Sequence, residues 1–151
     1  MAAQKDKLRA DLTTAMKGRD ELTTATLRMA LTAVGNEEVA GKVARELTDD
    51  EVFAVLAKES KKRRESAAAF RAGGREDRAE RELAEGAVLD AYLPAQLSDE
   101  QLAAMAVAAV TETGASGAQG LGQVMKVLSP QVKGKAEGAR VAAAVRAALG
   151  V

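Results

Sequence analysis

Apolar residues along this chain recur at helical spacing, and no stretch shows the alternation of a half-buried strand. Leu8, Leu12 and Met16 fall at i, i+4 and i+8, which predicts a first helix over about 5–16 with those three on one face. Gly18 ends it, and a second helix from about Glu21 carries the stripe Leu27, Ala30, Leu31 and Val34. Gly41 marks the next loop. Leu47-Thr48-Asp49-Asp50-Glu51-Val52 then reads as a helix start. Thr48 and Glu51 are spaced for a capping box, and Leu47 and Val52 for the hydrophobic staple around it.

The third helix extends to about Phe70, with Val52, Val55, Leu56, Glu59, Arg63, Ser66, Ala67 and Phe70 on one side. Midway the stripe turns polar, because Lys58 to Glu65 is charged on all sides; the expectation is a solvated run that projects beyond the core. Gly73-Gly74 ends this helix. A fourth follows over about 75–92, with Leu83, Ala87, Val88 and Ala91 as its apolar face. Gly86 inside it either permits a close helix crossing or is simply tolerated, at about 1 kcal/mol relative to Ala.

Leu93-Pro94 stops the fourth helix, since proline lacks the amide and restricts its predecessor. A second capping box and staple follow at once in Leu97-Ser98-Asp99-Glu100-Gln101-Leu102. The domain boundary is placed here, with an N-terminal helical bundle over 1–94 and a small three-helix domain over 95–151. The three C-terminal helices are expected over about 99–112, 121–128 and 139–149. Their inward residues are Leu102, Met105, Ala109 and Val110, then Val124, Val127 and Leu128, then Val141, Val145 and Leu149. Ser129-Pro130 is read as a turn that ends the second of them. The fold class is therefore all-α.

Composition narrows the chemistry. The 151 residues include no cysteine and no histidine. That removes disulfides, thiolate and imidazole nucleophile systems, and His metal ligands. Glu59, Glu65, Glu76, Asp77, Glu80, Glu82 and Glu85 crowd the third and fourth helices, but a di-metal bundle also calls for Glu-x-x-His. No catalytic residue, metal site or cofactor is assigned. The glycines of Gly117–Gly122 follow no strand and precede no Gly-Lys-Ser/Thr, so neither nucleotide fingerprint applies. Phe53, Phe70 and Tyr92 are the only aromatic residues, too few for a base-stacking surface. No run of about 18 apolar residues occurs, and the N-terminus, charged from Lys5 onward, lacks a secretory core. A cytoplasmic location is expected.

Net charge is zero but uneven. From Gly114 onward there are five basic residues and one acid, a local +4, so the preceding segment carries −4. A basic end of this kind either engages an anionic partner or forms a solvated helical face. The stretch Leu121-Gly122-Gln123-Val124-Met125-Lys126 followed by Pro130-Gln131-Val132-Lys133-Gly134-Lys135-Ala136-Glu137-Gly138 concentrates it. Lys126, Lys133, Lys135 and Arg140 are candidate phosphate contacts, with Gly134 permitting a sharp turn or a close approach. Free amides at the start of the last helix also favour an anion.

In this stretch the sequence resembles the YqeY family and the small C-terminal domain of the B subunit of glutamine-dependent aspartyl/glutamyl-tRNA amidotransferases. Thr26-Leu27-Arg28-Met29, Asn36-Glu37-Glu38, Arg75-Glu76-Asp77 and Tyr92-Leu93-Pro94-Ala95-Gln96-Leu97-Ser98 also match. Leu121 in place of Met, Arg78 in place of Leu and Gly86 in place of an apolar residue depart from the pattern. The resemblance implies a helical bundle followed by a three-helix tail, and an association with tRNA through Lys126, Lys133, Gly134, Lys135 and Arg140. It also implies a link to a carbon–nitrogen ligase system with glutamine as amido-N-donor. The expected partners are tRNA and an amidotransferase or aminoacyl-tRNA synthetase complex, with no membrane and no DNA. The chain is expected not to be catalytic alone. The alternative is a protein–protein interaction module without RNA affinity.

Overall fold

The structure is a computed structural model, and it describes residues 3–151. The first two residues of the charged N-terminus read above lie outside the described part. Seven α-helices account for most of it: α1 (Ala3–Lys17), α2 (Glu21–Val39), α3 (Asp49–Ala72), α4 (Glu76–Asp90), α5 (Asp99–Thr113), α6 (Leu121–Val132) and α7 (Gly138–Leu149). No strand occurs among the described residues. The fold is all-α. No helix among those residues is long and apolar enough to cross a membrane. The chain divides into two compact units, Met1–Leu93 and Pro94–Val151.

The first unit holds α1–α4 around Leu8, Leu27, Ala30, Val34, Leu47, Val52, Leu56 and Leu89. Its strongest local signal is the start of α3. The Thr48 hydroxyl accepts from the Glu51 amide at 3.3 Å, and Glu51 accepts from the Thr48 amide at 2.8 Å. Leu47 and Val52 bracket this box and are both buried in the core. Arg45 adds a two-pronged pair to the same Glu51 carboxylate, at 2.8 and 2.7 Å. These donors, Arg45 foremost, lower the Glu51 carboxyl to about 2. In the same unit Tyr92, which packs on this core, donates to Asp11. Burial, reinforced by that carboxylate, raises the phenol above its ordinary range.

Two apolar stripes differ from the sequence expectation. Met16 is 50% exposed, and Ala15 takes the inward position at the end of α1. In α4 the buried residues are Ala79, Gly86 and Leu89, while Leu83 faces outward. The helix is rotated because its inward face also carries carboxylates that meet a cation from α3. That cation is Arg63, in the middle of the supposedly solvated run. It is 7% exposed, and Ser60 is 1% exposed. One face of the run, Ser60 and Arg63, therefore packs against α4, while Lys58, Lys61, Lys62, Arg64 and Glu65 are exposed as expected of a solvated run. Gly86 lies at this crossing, where a Cβ would sit 3.5 Å from Arg63 Cβ and 3.8 Å from Ser60 Oγ, ordinary contact distances that leave room for a methyl group. Ser60 donates to Asp90 and accepts from Arg64 at 3.1 Å, so its buried hydroxyl is satisfied.

The second unit packs α5, α6 and α7 around Leu102, Ala106, Ala109, Val124, Leu128, Val132, Val141 and Val145. Ser98 and Gln101 close the second capping box at 3.1 and 2.9 Å. A short 3₁₀ turn, Ala118–Gly120, leads into α6. That helix runs through Pro130 to Val132, which corrects the expected turn at Ser129-Pro130. Proline removes one helical bond, and in a helix interior it costs about 3 kcal/mol. Continuing the helix places Val132 four residues beyond Leu128 and eight beyond Val124, and all three are buried. That core contact is what a turn at the proline would forfeit.

Candidate nucleic-acid interface

The candidate basic residues lie on α6 and on the connection to α7. Lys126 is in the middle of α6, Lys133 caps its C-terminus, and Gly134 and Lys135 form the turn that follows. Gly134 takes φ +77°, in the left-handed region where a side chain is strained. It therefore serves the turn.

The turn is held firmly. The Leu97 amide donates to the Lys135 carbonyl at 2.8 Å. Gln96 Nε2 donates to the Gly134 carbonyl at 3.0 Å and to the Pro94 carbonyl at 2.7 Å. Lys135 and Ala136 both donate back to the Val132 carbonyl, at 2.8 and 3.2 Å. The connection is thus pinned against the segment that enters α5. Gln96 and Leu97 fix the backbone of the Lys133–Lys135 turn.

The four cations do not have equal standing. Lys126, Lys133 and Lys135 are exposed, and among the described residues they enter no ion pair. Arg140 is half-buried. Its Nη2 donates to the Leu97 carbonyl at 3.0 Å and to Asp99 at 2.6 Å, so it ties α7 to the start of α5. Glu137 at the N-cap of α7 makes no side-chain capping bond to the first amides of that helix.

Lys126 and Lys133 flank a shallow groove of about 490 Å³ completed by Gly122, Met125, Ser129 and Pro130. Its surface is largely apolar, and its two cations stand one heptad apart, about 10 Å along an α-helix. Sequence reasoning identified the lysines but missed the groove. Met125 and Pro130 lie outside the buried stripe of α6, and Gly122 reads as a helix-start glycine.

Several carboxylates of α3 and α4 enter ion pairs. Glu59, Glu82 and Glu85 converge on Arg63, at 3.7, 3.8 and 3.1 Å. Arg63 Nε is close to Glu85, but its N–H is not aimed for a hydrogen bond, which leaves a buried ion pair without full geometry. Arg81 bridges Glu85 to Glu21, and Lys62 pairs with Glu59. Among the described residues no three potential ligands are grouped to hold a metal ion. A smaller groove of about 310 Å³ beside this cluster is lined by Arg28, Met29, Thr32, Ala33, Asn36 and Glu59.

No curated protein matches the sequence. A family model described as Yqey-like protein matches residues 5–149. With nearly the whole chain inside that match, both compact units included, this protein belongs to the YqeY family.

Proposed function

We propose that this chain is a non-catalytic tRNA-binding module of the cytoplasm that works beside a glutamine-dependent amidotransferase or aminoacyl-tRNA synthetase complex, and that its second unit contacts the RNA backbone. The observation that carries this reading is the pinned α6–α7 connection with three exposed, unpaired lysines. A rigid backbone presents Lys133 and Lys135 without the ordering cost of a mobile loop. Lys126 extends the same positive edge, and Arg140 adds charge from its structural position. Contacts of this kind supply affinity and position and leave base identity unread.

The alternative, a protein-binding module without RNA affinity, rests on the charged run of α3 and on the zero net charge. Within that run Arg63 is engaged inside the first unit, by Glu59 of α3 and by Glu82 and Glu85 of α4, so the central cation of the run is not available to an outside partner. Binding of bulk tRNA at several salt concentrations, with double-stranded DNA as control, tests the proposal. Lys133→Ala with Lys135→Ala is expected to weaken tRNA binding and to reduce the salt slope by roughly the two phosphates lost. Unchanged affinity in the double variant refutes the patch.

A further inference from the structure

We infer that the groove beside Lys126 and Lys133 receives the base and ribose of an unpaired nucleotide, so that the RNA element recognised is a loop or a free 3′ end and not a continuous duplex. This rests on the tRNA-binding reading and specifies its site.

A duplex offers a protein its phosphates, its 2′-hydroxyls and the base edges; its base faces are hidden by stacking. A site for duplex alone would be polar throughout. Here two lysines flank a largely apolar surface to which Met125 and Pro130 contribute. Such a surface suits the flat face of an extruded base, with the flanking phosphates reaching the lysines. Methionine is adaptable and polarizable, and it contacts aromatic rings favourably. It takes the place of the aromatic platform that this chain lacks.

Two backbone features fit the same occupant. Pro130 has no amide, so the Lys126 carbonyl is without its usual helical donor. A ribose hydroxyl or a base amino group supplies such a donor. Gly122, on the first turn of α6, would place a Cβ in open space, with nothing within 4 Å. Neither packing nor backbone conformation requires glycine there; its effect is to keep the groove open.

Gly122 also supplies the test. Gly122→Leu projects a side chain into the groove from a Cβ that itself meets no neighbour, and it replaces a poor helix former with a good one. Three RNAs would be compared by titration at fixed salt: a blunt duplex, the same stem closed by a loop, and the same stem with a single-stranded 3′ extension. The full-length native chain is expected to bind at least one of the last two about tenfold more tightly than the duplex, as one added base contact implies. Which one it prefers identifies the source of the nucleotide. Gly122→Leu should erase the preference, with duplex affinity and salt slope unchanged and with native helical content by circular dichroism. Equal affinity of the native protein for all three RNAs overturns the inference, and so does a preference that survives Gly122→Leu in a folded variant. In both cases tRNA binding through the lysines still stands. Failure to bind any of the three RNAs, with no binding of tRNA, overturns the function proposed above as well.

Discussion

Replacing Arg63 with methionine separates burial from bond length as the measure of an ion pair. The variant keeps a long apolar stem against Gly86 and removes the charge that faces Glu59, Glu82 and Glu85. Removing one partner of a buried pair costs about 3–5 kcal/mol, because the other charge is left uncompensated. Here Glu59 keeps Lys62 and Glu85 keeps Arg81, and the three carboxylates retain 12–23% exposure. The expected loss is therefore about 2–3 kcal/mol, below that range. The comparison is Arg71→Met. Arg71 holds Glu76 through two bonds of 2.8 and 2.7 Å, shorter than any Arg63 contact. Both groups are more than half exposed, so the loss should be much smaller than for Arg63→Met. Urea unfolding followed by tyrosine fluorescence measures both. Tyr92 is the sole tyrosine, the chain has no tryptophan, and Tyr92 packs on the core of the first unit. The signal thus reports the unit in question. Equal losses in the two variants, or a larger loss for Arg71→Met, would refute the reasoning.

Three further outcomes follow from the same coordinates. Thr48→Ala should lower the stability of the first unit by about 1 kcal/mol through loss of the α3 cap, read from the same tyrosine transition; an unchanged midpoint contradicts it. Gly86→Ala should be neutral or should stabilise by up to about 1 kcal/mol, since its methyl meets Arg63 Cβ at ordinary contact distance. A loss larger than 1 kcal/mol would show that the crossing does require glycine. Glu51 has a folded value of about 2 against an ordinary value of 4.5, so its contribution is complete above 4.5 and disappears as pH falls towards 2. The difference in urea midpoint between native protein and Glu51→Gln should accordingly narrow across that window. A difference that widens on acidification has the wrong sign.

Helix existence was readable from the sequence because the ends carry strong local chemistry. Thr48 and Ser98 sit in capping boxes whose bonds are formed as spaced, and Gly18 and Gly73 directly follow the last residues of α1 and α3, whereas α4 ends at Asp90, short of Pro94. Misreadings arose where tertiary contact outweighs local preference. Pro130 remains helical because Val132 beyond it is buried in the second core. The inward face of α4 was misplaced by treating apolar side chains as the only ones that turn inward. Glu82, Glu85 and Gly86 lie there, and they pair with or pack on Arg63, about twenty residues earlier on the neighbouring helix. In the candidate interface the lysines were legible as types and positions. Their pinning by Gln96 and Leu97 was not, because those bonds join segments nearly forty residues apart. The structural use of Arg140 was hidden for the same reason.

Salt-dependent binding of bulk tRNA to the native chain and to Lys133→Ala/Lys135→Ala tests the central claim most directly. The account predicts saturable binding that prefers tRNA over double-stranded DNA, with weaker affinity and a shallower salt slope in the double variant. Absence of binding at low salt, or identical curves for the two proteins, would contradict it.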